Sequence, residues 1–219
     1  MDGELDRLLA EQVAYYRARA GEYDATYPLD SHADTEARAE LVARLEGLAP
    51  LGRTLELACG TGQWTVELVR LASSVTAVDA APEALAICRG KVDAHLVEAD
   101  LFGWRPEARF DFVFFSAWLS HVPEQRFERF WALVADCLVP GGRVFVIDEL
   151  PAVDAVEHRA PGQPAPAVHR EVGGVQRFRA VKVLHDPGRL RQRLAELGWS
   201  AEVGTVGWRF FWAEVKRAG

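Results

Sequence analysis

The chain has 219 residues, 49% of them hydrophobic, which is material for one buried core in a single α/β domain. A formal charge of -7 and a pI near 5.4 argue against a broad phosphate-binding surface, so no nucleic-acid partner is expected and small neutral or cationic ligands fit better. Cys59, Cys88 and Cys137 are odd in number, widely spaced and without a CxxC pair, which speaks against a disulfide framework or a zinc site. With an acidic N-terminus and no apolar stretch long enough to cross a bilayer, the expectation is a cytoplasmic protein with no membrane partner, as a monomer or homodimer.

Leu5, Leu8, Leu9, Val13 and Tyr16 recur at helical spacing, predicting an amphipathic helix over 4–20. The turn-rich link "GEYDATYPLDSH" follows, and then a helix carrying Leu41, Val42 and Leu45 that ends near Gly47. Beyond Pro50, β-type runs alternate with helical ones: "TLELA", a helix over 62–72, "SVTAVDA", a helix over 82–89, "AHLVEAD", "FDFVFFS", a helix over 123–138 and "GRVFVIDE". Such continuous Val, Leu and Phe runs suit strands covered by helices on both faces, so the fold class is α/β, doubly wound, with a mostly parallel sheet. The stretch from Pro151 to Gly174 is rich in Pro and Gly and reads as a long functional loop. Asp186 as N-cap, Pro187 at the first position and Gly198 past the end punctuate the last helix, with Leu190, Leu194 and Leu197 inward. The runs "QRFRAVKVL" and "GWRFFWAEV" on either side of it are expected to close the sheet edge, the final strand antiparallel.

The first strand ends in "TLELACGTGQWT". Gly60 and Gly62 suit a tight strand-to-helix turn that approaches a ligand closely. Asp79 ends the next strand, about 20 residues on, where a carboxylate can accept from ribose hydroxyls. A dinucleotide site fits poorly, because Thr65 stands where GxGxxG/A requires Gly or Ala. Glu56, inside the first strand, would repel a pyrophosphate and suits the ammonium end of a cationic ligand.

"LELACGTG", "VDAAPEAL", "VEADLFGW", "FDFVFFSAWLSHVP" and "LVPGGRVFVIDE", in that order over about residues 50–150, resemble the class I S-adenosylmethionine-dependent methyltransferases. The resemblance implies a seven-stranded Rossmann-like sheet with S-adenosyl-L-methionine as cofactor and a small-molecule acceptor. Glu56, Ala58, Gly60 and Gly62 would lie by its methionine part, Asp79 and Ala80 by the ribose, Asp100 and Leu101 by the adenine, and Ser116 and Ala117 along the methionine backbone. "YYRARAGEYD" resembles the lid segment of small bacterial members, in which Tyr16, Arg19 and Tyr23 help close over the cofactor, so residues 1–48 are expected to form a helical lid on a core over 50–150. The loop over 151–173 would face the acceptor, and 174–219 would complete the sheet.

Methyl transfer is an in-line displacement that needs proximity and, for some nucleophiles, a base. His121 is the candidate base; capping the following helix or packing against Trp118 is an equally open role for it. Trp118, Glu149, His169 and Arg170 are candidate acceptor contacts, with His158 in the covering loop. The missing Asn/Asp-Pro-Pro-Tyr segment and Pro-Cys pair set back amino-group methylation of adenine or glutamine and cytosine C5 methylation, leaving transfer to O or N of a small molecule. A cofactor-binding protein without turnover, and an NAD-dependent oxidoreductase, are the competing readings.

Overall fold

The computed structural model describes residues 2–26 and 32–219. Seven strands form the main sheet: β1 (Arg53–Leu57), β2 (Ser74–Asp79), β3 (His95–Glu98), β4 (Phe110–Ser116), β5 (Leu138–Glu149), β8 (Trp199–Val206) and β9 (Phe210–Arg217), in the order β3-β2-β1-β4-β5-β9-β8. The first five are parallel; β9 runs antiparallel between β5 and β8. The order reverses between β1 and β4, and this switch point opens the crevice at their carboxyl ends.

Strand parity sorts the two core layers. Val113 and Phe115 of β4 and Val144 and Val146 of β5 pack with the helices α5 (Phe127–Cys137) and α6 (Pro187–Glu196). The alternate residues Phe112, Phe114, Phe145 and Ile147 face α2 (His32–Glu46) and α3 (Thr65–Leu71). The same parity turns Glu56 toward α3. With α4 (Pro82–Arg89), helices cover both faces, as the apolar strand runs require.

Several sequence expectations are revised. The first helix, α1, runs over Asp2–Thr26, so the predicted link begins as helix, and its remainder over 27–31 lies outside the described residues. Among the described residues of the expected lid, those of α1 lie against the cofactor-side crevice and those of α2 do not. Ala37, Leu41 and Leu45 of α2 belong to the sheet core, because their stripe meets Phe210 and Trp212. The helix expected from Pro123 starts at Phe127, after two 3-10 turns over 119–121 and 124–126. The loop after β5 is half structured: a 3-10 turn over Pro151–Val156 leads to β6 (Ala167–Val172), which pairs antiparallel with β7 (Gln176–Val181). That hairpin stands apart from the main sheet, so "QRFRAVKVL" does not close its edge; β8, unrecognised in the less apolar run "WSAEVGTV", does so instead. The last helix starts as read, with Asp186 accepting from the N–H of Arg189 at 2.9 Å.

α1 is fastened along its length. Leu5, Leu8 and Leu9 pack on Ala165, Ala167, Val181 and Val183, and Ala20 meets Ala81, just before α4, and Ala84 within it, where small side chains allow close approach. Glu11 chelates Arg179, Gln12 accepts from the N–H of Val181 at 3.0 Å, and Asp24 accepts from Thr61 at 2.5 Å and Gln63 at 3.1 Å beside Lys91.

Candidate active site

The carboxyl ends of β1, β2 and β4 wall a cavity of about 290 Å³ roofed by α1. Tyr16, Tyr23, Ala58, Gly60, Asp79, Ala80, Asp100, Leu101, Ser116 and Ala117 line it, and so does Trp118, which the sequence reading gave to the acceptor. Thr61 and Ala81 join them from the two strand-to-helix turns. A small annex of about 40 Å³ runs past Ala58 and Gly60 to Glu56.

The turn after β1 is built for exposed backbone. Ala58 and Gly60 have φ of 56° and 55°, and Ala117, which ends β4 opposite, has φ of 50°. Left-handed alanine is strained, and both strained alanines stand on the cavity wall. The two glycines divide their tasks. A Cβ on Gly60 would meet nothing within 4 Å, so this position needs only the positive φ, whereas a Cβ on Gly62 would fall 2.6 Å from the Cys88 sulfur. Gly62 therefore seats α4 against the turn and does not line the cavity.

Asp79 closes the turn from β2. Its Oδ2 accepts from the N–H of Gly60 at 2.8 Å and its Oδ1 from the N–H of Ala81 at 2.8 Å. Burial pushes this carboxyl above its ordinary range in spite of those bonds. Glu56 is 2% exposed, and its carboxylate accepts from Thr65 Oγ1 at 2.6 Å; burial raises its pKa to about 8. Among the described residues neither carboxylate has a Lys or Arg partner. A ligand bringing its own positive charge and ribose hydroxyls offsets that desolvation, whereas a pyrophosphate adds to it. Asp100 uses Oδ1 to hold the N–H of Phe102 at 3.0 Å, so it opens a turn while lining the cavity.

A second chamber of about 380 Å³ joins the first across Tyr16, Tyr23, Ala117 and His121, which line both. Its far wall is charged. Lys182, 3% exposed, pairs with Glu149 and reaches Ser120 Oγ at 3.4 Å, and Arg209 pairs with the same Glu149 at 2.5 Å. Burial opposes the charge on Glu149, but these two cations outweigh it and hold the carboxyl at about 2. Beside it Asp148, 1% exposed, accepts from the N–H of Ser120 at 2.9 Å. Arg170 forks onto Glu157 at 2.6 and 2.9 Å.

His121 is 4% exposed, between Tyr16 and the backbone of β7. Burial, with Lys182 nearby, depresses its pKa to about 3, so the ring stays neutral. It does not cap α5, which begins six residues later. Glu149 and Arg170 line the second chamber, but His169 stands on the exposed side of β6 with its N–H on the carbonyl of His158, and neither histidine lines either chamber. Arg19 belongs to the second chamber, its guanidinium 4.8 Å from the Tyr23 ring centroid. Gln12, Asp24, Lys182 and Arg209 escaped the sequence reading. The one signal was Lys182, a charge in the apolar run "AVKVL".

Among the described residues no group of His, Cys, Asp and Glu is arranged to hold a metal, the three cysteines are free and buried, and no helix is long and apolar enough to cross a membrane.

Residues 54–142 match a family model described as a methyltransferase domain. Over 139 residues the chain is 32% identical to the ubiquinone biosynthesis O-methyltransferase of Xanthomonas axonopodis pv. citri, covering 57% of this chain and 55% of that protein. Over 99 residues it is 35% identical to a trans-aconitate 2-methyltransferase of Escherichia coli O1:K1, covering 44% of this chain and 38% of the relative. The chain thus spans about half or less of the curated relatives it matches. Among solved structures, a DhpI–SAH complex is 39% identical, with a TM-score of 0.83 over 96% of this chain and 97% of that one. A DhpI–SAM–HEP complex is 40% identical, with a TM-score of 0.84 over 95% and 97%.

Proposed function

Because this chain belongs to the class I S-adenosylmethionine-dependent methyltransferases, we propose that it transfers the methyl group of S-adenosylmethionine to an oxygen or nitrogen of a small-molecule acceptor. When bound, that cofactor supplies a methyl carbon made electrophilic by sulfonium. The protein's part is to hold it, shut out water and present the acceptor in line.

One observation carries the reading: a cavity lined by Asp79 and Asp100, with Glu56 in its annex, opens, between Tyr16, Ala117 and His121, into a separate charged chamber. The first has the donors and acceptors for a zwitterionic, ribose-bearing ligand. Glu56 would face the ammonium, Asp79 the ribose hydroxyls, and Leu101 the adenine ring. The second chamber would seat the acceptor, oriented by Arg170 and by the cations around Glu149. Among the relatives, one is by name an O-methyltransferase, which supports an oxygen acceptor. His121 stands at the junction, where a base is useful, and its depressed pKa keeps a lone pair on the ring at neutral pH.

A non-catalytic binder would need the first chamber alone; the buried charges of the second favour turnover, since ordering them serves no purpose in holding the cofactor. An NAD-dependent oxidoreductase is disfavoured by Glu56 and by Thr65 in place of the third glycine, whereas Asp79 would serve either ribose. Thermal unfolding with S-adenosylhomocysteine, beside NAD and buffer, tests the assignment. At a hundredfold excess over Kd the ligand adds about 2.7 kcal/mol, and a shift with NAD alone would sink it.

A further inference from the structure

Hydrogen-bond directions at the junction of the chambers follow from one backbone carbonyl. Nδ1 of His121 lies 2.7 Å from the carbonyl oxygen of Val181, and a carbonyl can only accept, so Nδ1 carries the ring proton. Nε2 of the neutral ring is then a bare lone pair, 2.7 Å from Tyr16 Oη. Tyr16 must donate to it. With its proton committed, the phenolic oxygen has only acceptor capacity left, and Tyr16 is a lining residue of both chambers. The arrangement is braced: Gln12 reaches the carbonyl of His121 at 3.4 Å, and the two rings meet edge-on with centroids 5.4 Å apart.

We propose that Tyr16, not His121, meets the acceptor, that His121 is the positioning residue and proton sink behind it, and that the acceptor is a hydroxyl compound. This rests on the methyl-transfer reading above. As the acceptor oxygen forms its bond to the methyl carbon, the carbon–sulfur bond breaks and its electron pair stays on sulfur. The acceptor's proton passes to Tyr16 Oη while the Tyr16 proton passes to Nε2, leaving an imidazolium that returns the proton to water by the same path after product release. A hydroxyl needs this relay, since an oxygen that gains a methyl before losing its proton is a strong acid and gives that proton even to a weakly basic ring. An alkylamine does not, because its product keeps the proton as an ammonium, with a pKa of about 10. A carboxylate offers Tyr16 no hydrogen to accept.

The charged groups facing the imidazole are Arg170 from β6, Lys182 just past the end of β7 and Glu149 from β5; the two cations oppose protonation and Glu149 favours it. The first test needs no acceptor. In protein labelled with 15N-histidine, free and with S-adenosylhomocysteine, the His121 signals, assigned by their loss in H121N, are expected to show the Nδ1-protonated tautomer without titration between about pH 5 and 8. Y16F should move the Nε2 resonance and leave the tautomer unchanged. An Nε2-protonated ring, or titration near 6.5, overturns the proposal. The second test follows S-adenosylmethionine turnover with matched hydroxyl, carboxylate and thioether compounds. Methyl should appear on hydroxyls, with kcat lowered about 100-fold in Y16F and S-adenosylhomocysteine affinity nearly constant. Methyl on a carboxylate oxygen or thioether sulfur, or an unchanged kcat in Y16F, overturns it. Failure of calorimetry to detect S-adenosylhomocysteine binding is a distinct result, which removes the methyl-transfer reading beneath it.

Discussion

The two chambers are made in opposite ways. The cofactor side is assembled from short motifs at successive strand ends, residues 56–62, 79–81, 99–102 and 116–118, each a few residues from the backbone geometry that defines it. The acceptor side is assembled from partners far apart in sequence: Tyr16 with His121, Gln12 with Val181, Lys182 and Arg209 with Glu149. The first needs only that strands end at a switch point; the second needs α1 and the hairpin docked together. A turn is a local device and a specificity pocket is not. For the same reason, shortening the segment over 152–172 is not a clean specificity experiment. β6 packs under α1, so the cut would loosen the roof of both chambers.

The sharpest way to break the comparison is K182M. It strands Glu149 and Asp148 with one nearby cation fewer and should cost about 3 kcal/mol in urea unfolding, while calorimetry finds S-adenosylhomocysteine affinity little changed. A parallel collapse of affinity would mean that the chambers form one unit. D79A attacks the other side: the N–H groups of Gly60 and Ala81 lose their acceptor, and affinity should fall by about 2 kcal/mol, some 30-fold, with retained resistance to urea at the hairpin.

Proton linkage separates the two sides again, at no more than about 1.4 kcal/mol per pH unit for each group. Between about 3 and 6.5 the unfolded protein protonates His121 and the folded protein does not, so stability falls as pH drops through that window. Glu149, held at about 2, adds to the acid loss below 4.5. Glu56 acts oppositely: between 4.5 and about 8 the folded carboxyl keeps a proton that the unfolded one has lost, so stability falls as pH rises. Unfolding of E56Q across pH should lose the Glu56 share of the fall between pH 4.5 and about 8, and that of H121N should lose part of the acid slope. The smallest effect is expected from A117G, which relieves a left-handed alanine and should stabilise by about 0.5 to 1 kcal/mol, seen as a raised Tm.

The sequence alone determined the parallel core, the glycine turn, the carboxylates at the ends of β1 and β2 and the cofactor class, because strand burial, turn conformation and N-capping are written within a few residues of where they act. Asp186, Gly60 and Asp79 were legible in this way. Tertiary structure decided that the less apolar run "WSAEVGTV", and not "QRFRAVKVL", closed the sheet, since what stands beside each run, and not its own pattern, settles the pairing. It also decided that Gly62 packs on Cys88 and that His169, on β6, faces out while Lys182, just past the end of β7, faces in. Above all it set the partner of His121. A tautomer depends on which carbonyl the chain brings back to the ring, here from Val181, 60 residues away, and no local pattern encodes that return.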